Sequence, residues 1–213
     1  MILEFNTVYG ETESITVVER SKFICNIKRI NNEDEAKEYV NAIRKKHSLA
    51  NHHCYAYIAD ENGLNMKFSD DGEPQGTAGM PMLDVLKSKK IYKTCAVVTR
   101  YFGGIKLGTG GLVRAYGGAV LQALSESDLR TEKYALILKV KSDYENYNNL
   151  LKCLQSIDVF IIDTDFSDEI TVKLAIKYVD DKTFTVFIEK LSDIFRGKTR
   201  VEEISREFFP FKA

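Results

Sequence analysis

Apolar and polar residues follow strand-like patterns along the first half of the chain. Alternation predicts strands over 15–20, 22–30, 52–59 and 64–68, and an apolar run predicts another over 95–102. An Asn-Gly pair between the third and fourth of these strands is a strong turn signal and predicts a hairpin there.

Apolar stripes at helical spacing predict three helices between these strands. Asn32 caps the first, with Glu35 three residues later as in a capping box. Pro81 begins a short second helix, and Leu112 to Leu124 form a longer third one. The predicted order of the first half is β-β-α-β-β-α-β-α.

The second half repeats both patterns after a polar stretch at 125–133, which we interpret as a domain boundary. Strands are predicted from Tyr134, Val159, Ile170 and Val201, with helical stripes after the first and third. The order β-α-β-β-α-β is that of a ferredoxin-like domain. The sequence therefore predicts an α+β protein with domains at 1–130 and 131–213.

Composition and charge narrow the class of protein. Hydrophobic residues make up 44% of the 213 residues, and the formal net charge is −1, so any nucleic-acid binding must use a local patch. No apolar run approaches the length of a membrane-spanning helix, and the acidic start does not resemble a signal peptide. Four widely spaced cysteines predict buried, reduced thiols and a cytoplasmic protein.

A glycine-rich stretch at 97–118 holds seven of the thirteen glycines and leads from the last strand of the first half into its long helix. Glycines before a helix start can present backbone N–H groups to an anion. The spacing fits neither a Walker loop nor a G-x-G-x-x-G motif, so a tight turn that binds nothing stays an alternative. The candidate residues for binding an anion, a nucleic acid or a partner are Arg100, Gly103, Gly104, Lys106, Gly108, Thr109, Gly110, Gly111, Arg114 and Gly118.

Two of these candidates, Arg100 and Gly118, also have an alternative structural interpretation. Arg100 either binds phosphate in a cleft or forms a salt bridge to a carboxylate of the 68–82 loop. The adjacent Gly117 and Gly118 each cost helix stability, which indicates close approach by another group. Packing is the favoured reason for Gly117, whereas Gly118 beside Arg114 leaves room for a partner.

Carboxylates in the second glycine-rich stretch form a candidate metal site. Asp70, Asp71 and Glu73 offer the oxygen ligands that Mg²⁺ prefers, but the same residues are typical of a turn, which we favour. Cys54 and the two histidines before it alternate across a strand and cannot all converge on zinc. No nucleophile with a nearby base is evident, so the sequence predicts no catalytic residue and no cofactor.

Four motifs resemble those of the YigZ/IMPACT family. They are ERSKFI at 19–24, HHCYAY at 52–57, SDDGEPQGTAG at 69–79 and TRYFGGIKLGTGGLVRAYG at 99–117. The resemblance implies a first domain with the fold of ribosomal protein S5 domain 2 and a second domain like the ferredoxin-like domains of elongation factor G. Eukaryotic IMPACT proteins regulate translation, and the fold relatives of the bacterial members imply binding to RNA or the ribosome.

The favoured hypothesis is a non-catalytic cytosolic protein that binds RNA, the ribosome or another translation component, without a membrane or a specific DNA site. One alternative is a magnesium-dependent enzyme acting on a nucleotide or phosphorylated small molecule, with Lys106 on the phosphates. Another is a protein-docking module around Arg114 and Gly118. The oligomeric state is left open.

Overall fold

The computed structural model describes residues 3–195 and 198–211, so the outermost residues of the two predicted domains and residues 196–197 lie outside the description. The chain divides into two compact units, with residues 4–131 in the first and the residues from Glu132 onward in the second. The described residues form five helices and antiparallel sheets, which confirms a mixed α and β protein. None of these helices is long and apolar enough to cross a membrane.

The first unit is built on a five-stranded antiparallel sheet with the strand order β2-β3-β6-β4-β5. Its elements are β1 (Glu4–Tyr9), β2 (Glu11–Val18), β3 (Ser21–Arg29), α1 (Glu33–Lys46), β4 (His52–Ile58), β5 (Met66–Ser69), α2 (Gly79–Ser88), β6 (Thr94–Tyr101) and α3 (Gly108–Glu126). The predicted hairpins and helices are confirmed, with boundary shifts of a few residues.

Strand β1 was not predicted. It bonds to the segment after α2 rather than to its neighbours in sequence: the Asn6 N–H donates to the Lys90 carbonyl at 3.1 Å, and Asn6 accepts from the Tyr92 N–H at 2.8 Å. Because this pairing joins residues more than 80 positions apart, the local pattern gave no signal for it.

The predicted cap of α1 is confirmed. The Asn32 side chain accepts the Glu35 N–H at 2.9 Å, and the Glu35 carboxylate accepts the Asn31 N–H at 2.9 Å. Basic residues occupy the last turn, where they complement the helix dipole.

Helices cover both faces of this sheet. Helices α2 and α3 pack on the face that carries Phe23, Cys54 and Val98, whereas α1 packs on the face that carries Tyr57 and Val97. The rings of Phe23 and Tyr116 pack edge to face, with an angle of 88° between the ring planes and 5.2 Å between the ring centroids. This contact fixes α3, and with it the glycine-rich loop, against the sheet.

The second unit has the element order β-α-β-β-α-β. Its elements are β7 (Asp128–Ser142), α4 (Tyr147–Gln155), β8 (Val159–Phe166), β9 (Ile170–Lys177), α5 (Thr183–Phe195) and β10 (Arg200–Pro210). They pair antiparallel in the strand order β10-β7-β9-β8. Within the polar stretch 125–133, α3 continues to Glu126 and β7 begins at Asp128, and the two units divide between Thr131 and Glu132.

Candidate functional site

A groove lies on the first unit where the glycine-rich loop, the start of α3 and the β2–β3 turn meet. It has a volume of about 430 Å³. The lining residues are Val18, Glu19, Ile105, Lys106, Leu107, Gly111, Arg114 and Ala115. Three of the predicted candidates, Lys106, Gly111 and Arg114, are thus brought together.

Gly103 allows one wall of the groove to approach the other. A Cβ atom at position 103 would lie 2.1 Å from the carbonyl carbon and oxygen of Arg20. This distance is too short for any residue other than glycine. Glu19 and Arg20 form the tight β2–β3 turn with positive φ angles of 45° and 65°. The Gly103 N–H also donates to the Ser21 hydroxyl at 3.2 Å, so the loop is fastened where the turn ends.

Lys106 and Arg114 supply the positive charge of the groove. Both side chains are exposed, and neither forms an ion pair or hydrogen bond with the residues that the structure describes. The Arg114 Nη1 atom lies 3.6 Å from the position of a Cβ atom at Gly110, so the guanidinium stays close to the start of the helix. Glu19, from the β2–β3 turn, also lines the groove and adds one carboxylate to it.

The start of α3 is bare. Gly108, Thr109 and Gly110 are exposed, and the first turn has neither an acidic residue nor a side-chain cap. Gly104 and Gly108 have φ angles of +86° and +67°, which favour glycine. The first N–H groups of a helix carry partial positive charge, and here they are open to solvent beside Lys106 and Arg114.

The two mid-helix glycines differ in their surroundings. A Cβ atom at Gly117 would lie 3.7 Å from a Val85 methyl group, so this glycine packs on α2. Gly118 is exposed and has no atom within 4 Å of its Cβ position. The surface around Gly118 is therefore free among the described residues, as the partner interpretation requires.

Arg100 does not line the groove. It is only 5% exposed, and its Nη1 atom lies 2.7 Å from the Glu73 carboxylate, while its Nη2 atom donates to the Ser21 hydroxyl at 3.3 Å. The Tyr116 hydroxyl donates to the same Glu73 oxygen at 2.7 Å. Arg100 therefore forms the salt bridge that the sequence offered as the alternative, and we remove it from the candidate anion site.

Burial keeps the Tyr116 hydroxyl and the neighbouring Cys54 thiol neutral. Desolvation raises the pKa of the Tyr116 hydroxyl, and the nearby Cys54 thiol and Glu73 carboxylate raise it further. Desolvation likewise raises the pKa of the Cys54 thiol. Tyr116 thus stays a hydrogen-bond donor to Glu73, and Cys54 does not provide a thiolate nucleophile.

The three carboxylates of the candidate metal site serve separate structural contacts. Asp70 accepts three backbone N–H groups at 2.8–3.1 Å around the start of α2, and Asp71 binds Arg44 at 2.8 Å and the His53 N–H at 2.7 Å. Glu73 binds Arg100. No group of three potential metal ligands converges within residues 3–195 and 198–211. Asp70, Asp71 and Glu73 thus act as turn and ion-pair residues.

The adjacent histidines and Cys54 also make separate contacts. His52 Nδ1 lies 2.8 Å from the Asp71 carbonyl, and His53 Nε2 lies 3.0 Å from the His47 carbonyl. The Cys54 thiol donates to the Asp70 carbonyl at 2.9 Å. Each side chain thus helps to hold the 68–82 loop or the end of α1.

Sequence reasoning missed one wall of the groove. Val18 and Glu19 were not candidate site residues, although Glu19 is the first residue of the ERSKFI motif at 19–24. Ile105 and Leu107, between the glycines of the loop, were also missed. The position of Ile105 and Leu107 on either side of Lys106 was the signal available in the sequence, but the contact of this loop with the β2–β3 turn depends on tertiary packing.

Comparison with known proteins places these features in a family context. A family model described as the Impact N-terminal domain matches residues 19–124, which include the Glu73–Arg100 pair and all the groove-lining residues except Val18. The chain is 39% identical over 203 residues to IMPACT family member YvyE of Bacillus subtilis (strain 168), covering 95% of this chain and 92% of that protein. It is 36% identical over 192 residues to IMPACT family member YigZ of Escherichia coli (strain K12), covering 88% and 93%.

A eukaryotic relative and a solved structure extend the comparison. The Protein IMPACT homolog of Dictyostelium discoideum is 36% identical over 106 residues, which cover 48% of this chain and 30% of that protein. A crystal structure described as that of an hypothetical protein superposes with a TM-score of 0.61 at 32% identity, covering 96% of this chain and 99% of that chain.

Proposed function

The chain belongs to the IMPACT family, and on this premise we propose that it is a non-catalytic cytosolic protein that binds RNA, either free or in the ribosome. The proposed site is the groove between the glycine-rich loop and the β2–β3 turn. Lys106 and Arg114 contact phosphates, and the N–H groups of residues 108–111 contact phosphate oxygens. Gly103 and Gly104 shape the loop rather than contact the ligand.

One observation carries this proposal: two cations without an ion pair to any described residue flank a helix start that has no side-chain cap and no acidic residue in its first turn. An exposed Lys or Arg on a folded protein is ordinary, but two beside free N–H groups in a groove form an electrostatic footprint for phosphate. The net charge of −1 makes this a local patch rather than a general affinity for polyanions.

The architecture supports a role in translation. We propose that the first unit has the fold of ribosomal protein S5 domain 2 and that the second is ferredoxin-like. The β-α-β-β-α-β order and the β10-β7-β9-β8 sheet of the second unit support the latter. Relatives named for IMPACT are consistent with a regulatory, translation-associated role.

The magnesium-dependent enzyme receives no support from the residues. A metal site needs carboxylates that converge and are available, whereas Asp70, Asp71 and Glu73 are each engaged in separate hydrogen bonds or ion pairs. We therefore do not propose this activity.

Protein docking remains a second candidate function, favoured by the outer face of α3. Val113 and Leu121 are exposed on this helix, and a Cβ atom at Gly118 would meet no other described part of the chain within 4 Å. An apolar helix face with a bare glycine suits the close approach of another protein. Replacing Val113 and Leu121 with glutamate would abolish ribosome association without changing affinity for free RNA if this face, rather than the groove, makes the contact.

Co-sedimentation with ribosomes at low and high salt tests the proposed function. The protein is expected to sediment with ribosomes at low salt and to dissociate as salt rises, because phosphate contacts release counterions. The double variant Lys106→Ala/Arg114→Ala is expected to lose association. Lys87→Ala/Lys89→Ala removes the same charge from exposed positions near the end of α2 and serves as the matched control. Equal sedimentation of both variants would contradict the site.

A further inference from the structure

Phe102 is an exposed aromatic residue at the entrance to the glycine-rich loop. Every residue of β6 from Thr94 to Arg100 is buried, yet Phe102, two positions beyond, is 46% exposed. Ile105, in the same loop, is also exposed. Phe102 and Ile105 therefore expose apolar side chains to solvent where the chain leaves the sheet and enters the proposed site.

Arg100 packs against the Phe102 ring, and Asn51 holds the Phe102 backbone. The Arg100 guanidinium carbon lies 5.4 Å from the centroid of the Phe102 ring, and Arg100 is itself fixed by Glu73 and Ser21. The Phe102 N–H donates to the Asn51 side chain at 2.8 Å. Contacts that restrict a side chain before binding reduce the conformational entropy lost when a second ring stacks on it.

Positive charge lies close to this ring along the chain. Lys106 is four residues from Phe102, so the two Cα atoms are at most about 14 Å apart. Lys106 and Arg114 are both free of ion pairs among the described residues. An aromatic platform beside unpaired cations matches a ligand in which a flat base alternates with phosphate groups.

We infer that Phe102 is a stacking platform for an unpaired RNA base, with Lys106 and Arg114 on the neighbouring phosphates. This inference rests on the proposed function and specifies its ligand as single-stranded RNA. Bases in an A-form duplex are stacked on one another and do not reach such a platform. The protein therefore binds single-stranded RNA more tightly than a duplex of the same length.

The chain offers a direct test because it contains no tryptophan. Phe102→Trp places a unique fluorophore at the platform, and stacking of a base is expected to quench its emission when a single-stranded RNA oligonucleotide is added. Phe102→Leu keeps an apolar side chain but removes the ring, and it is expected to weaken binding of the same oligonucleotide about 5- to 100-fold. The weaker affinity for the duplex is expected to change much less.

Phe166→Leu is the matched control, since Phe166 is an exposed phenylalanine, 56% accessible, in the second unit. It is expected to bind RNA like the wild type. Circular dichroism and urea unfolding of each variant show whether it is folded.

The outcomes separate this inference from the proposed function. If Lys106→Ala/Arg114→Ala loses RNA while Phe102→Leu does not and Phe102→Trp shows no quenching, the stacking role is overturned and the phosphate site stands. If the wild type binds neither free RNA nor ribosomes, both are overturned. If the wild type binds ribosomes but neither it nor any variant binds free single-stranded RNA, the stacking role is overturned and the proposed function stands.

Discussion

Arg100 and Glu73 form a buried ion pair, with 2.7 Å between Nη1 and Oε1, that fastens the loop before α2 to strand β6. Both side chains are almost fully buried, so each charge depends on the other for compensation. Tyr116 on α3 donates to the same oxygen, which ties a third element into the pair.

Removing one partner of this pair is expected to destabilise the first unit strongly. Arg100→Met leaves the Glu73 carboxylate buried with only neutral donors, which costs about 3–5 kcal/mol of unfolding free energy. Urea unfolding followed by circular dichroism measures the loss. Lys37→Ala, which breaks exposed pairs to Glu33 and Asp34, is the control and is expected to leave the midpoint nearly unchanged. Equal midpoints for the two variants would show that the buried pair is dispensable.

Two glycines of the glycine-rich stretch are expected to respond to alanine with opposite signs. Gly103→Ala forces a Cβ atom against the Arg20 backbone and is expected to destabilise the fold and displace the β2–β3 turn. Gly118→Ala meets no neighbour and is expected to stabilise α3 by up to about 1 kcal/mol, because alanine is the better helix former. Thermal or urea unfolding of the two variants compares them directly, and a stable Gly103→Ala protein would refute the close approach.

Glu19 is expected to weaken RNA binding because it places a carboxylate in the same groove as Lys106 and Arg114. Glu19→Gln removes that charge and should raise the affinity for single-stranded RNA about two- to fivefold at low salt. Fluorescence anisotropy with a labelled oligonucleotide measures the change. Glu38→Gln, an exposed carboxylate on α1, controls for the change in net charge. An affinity gain of the same size in both variants would exclude a local effect.

Acidification is expected to lower stability partly through His47. Burial lowers the pKa of His47, and repulsion from Lys46 adds to the shift. The unfolded chain therefore takes up a proton more readily, so this contribution is complete above about pH 6.5 and is lost as the pH falls below it. His47→Gln is expected to flatten the dependence of the urea midpoint on pH between about pH 7.5 and 5.5. Parallel profiles of the variant and the wild type would contradict this role.

The four cysteines are expected to resist alkylation in the folded protein. All four are free and buried, and desolvation raises the pKa of each thiol. Cys153, the least buried at 7% exposure, should react first with iodoacetamide, and the others should react mainly after unfolding in urea. Mass spectrometry of peptides gives the order, and rapid modification of Cys54 would show that the Tyr116 network is open to solvent.

Local patterns predicted much of this fold because most elements are specified by neighbouring residues. The cap at Asn32 and the alternation along β9 needed no distant contact to recognise. Strand β1 escaped prediction since its backbone partners lie after α2, more than 80 residues away. The division between the two units, between Thr131 and Glu132, lies within the polar stretch at 125–133, where the exposed end of α3 meets the exposed start of β7.

In the candidate site too, local sequence predicted some residues and distant contacts determined the others. Lys106 and Arg114 stood out because glycines surround them in sequence. The choice for Arg100 between phosphate and carboxylate depended on which side chain lies 2.7 Å away, and only the packed structure gives Glu73 as that partner. Glu19 became part of the groove through the contact between Gly103 and Arg20, which joins residues 83 positions apart.

The salt dependence of RNA binding tests the central proposal most directly. The logarithm of the association constant for a single-stranded oligonucleotide is plotted against the logarithm of salt concentration for the wild type and for Lys106→Ala/Arg114→Ala. Removing two phosphate contacts is expected to weaken binding and to reduce the magnitude of the slope by about 1.4. The Lys87→Ala/Lys89→Ala control is expected to keep the wild-type slope. If the groove variant keeps both the affinity and the slope of the wild type, phosphate does not bind at Lys106 and Arg114.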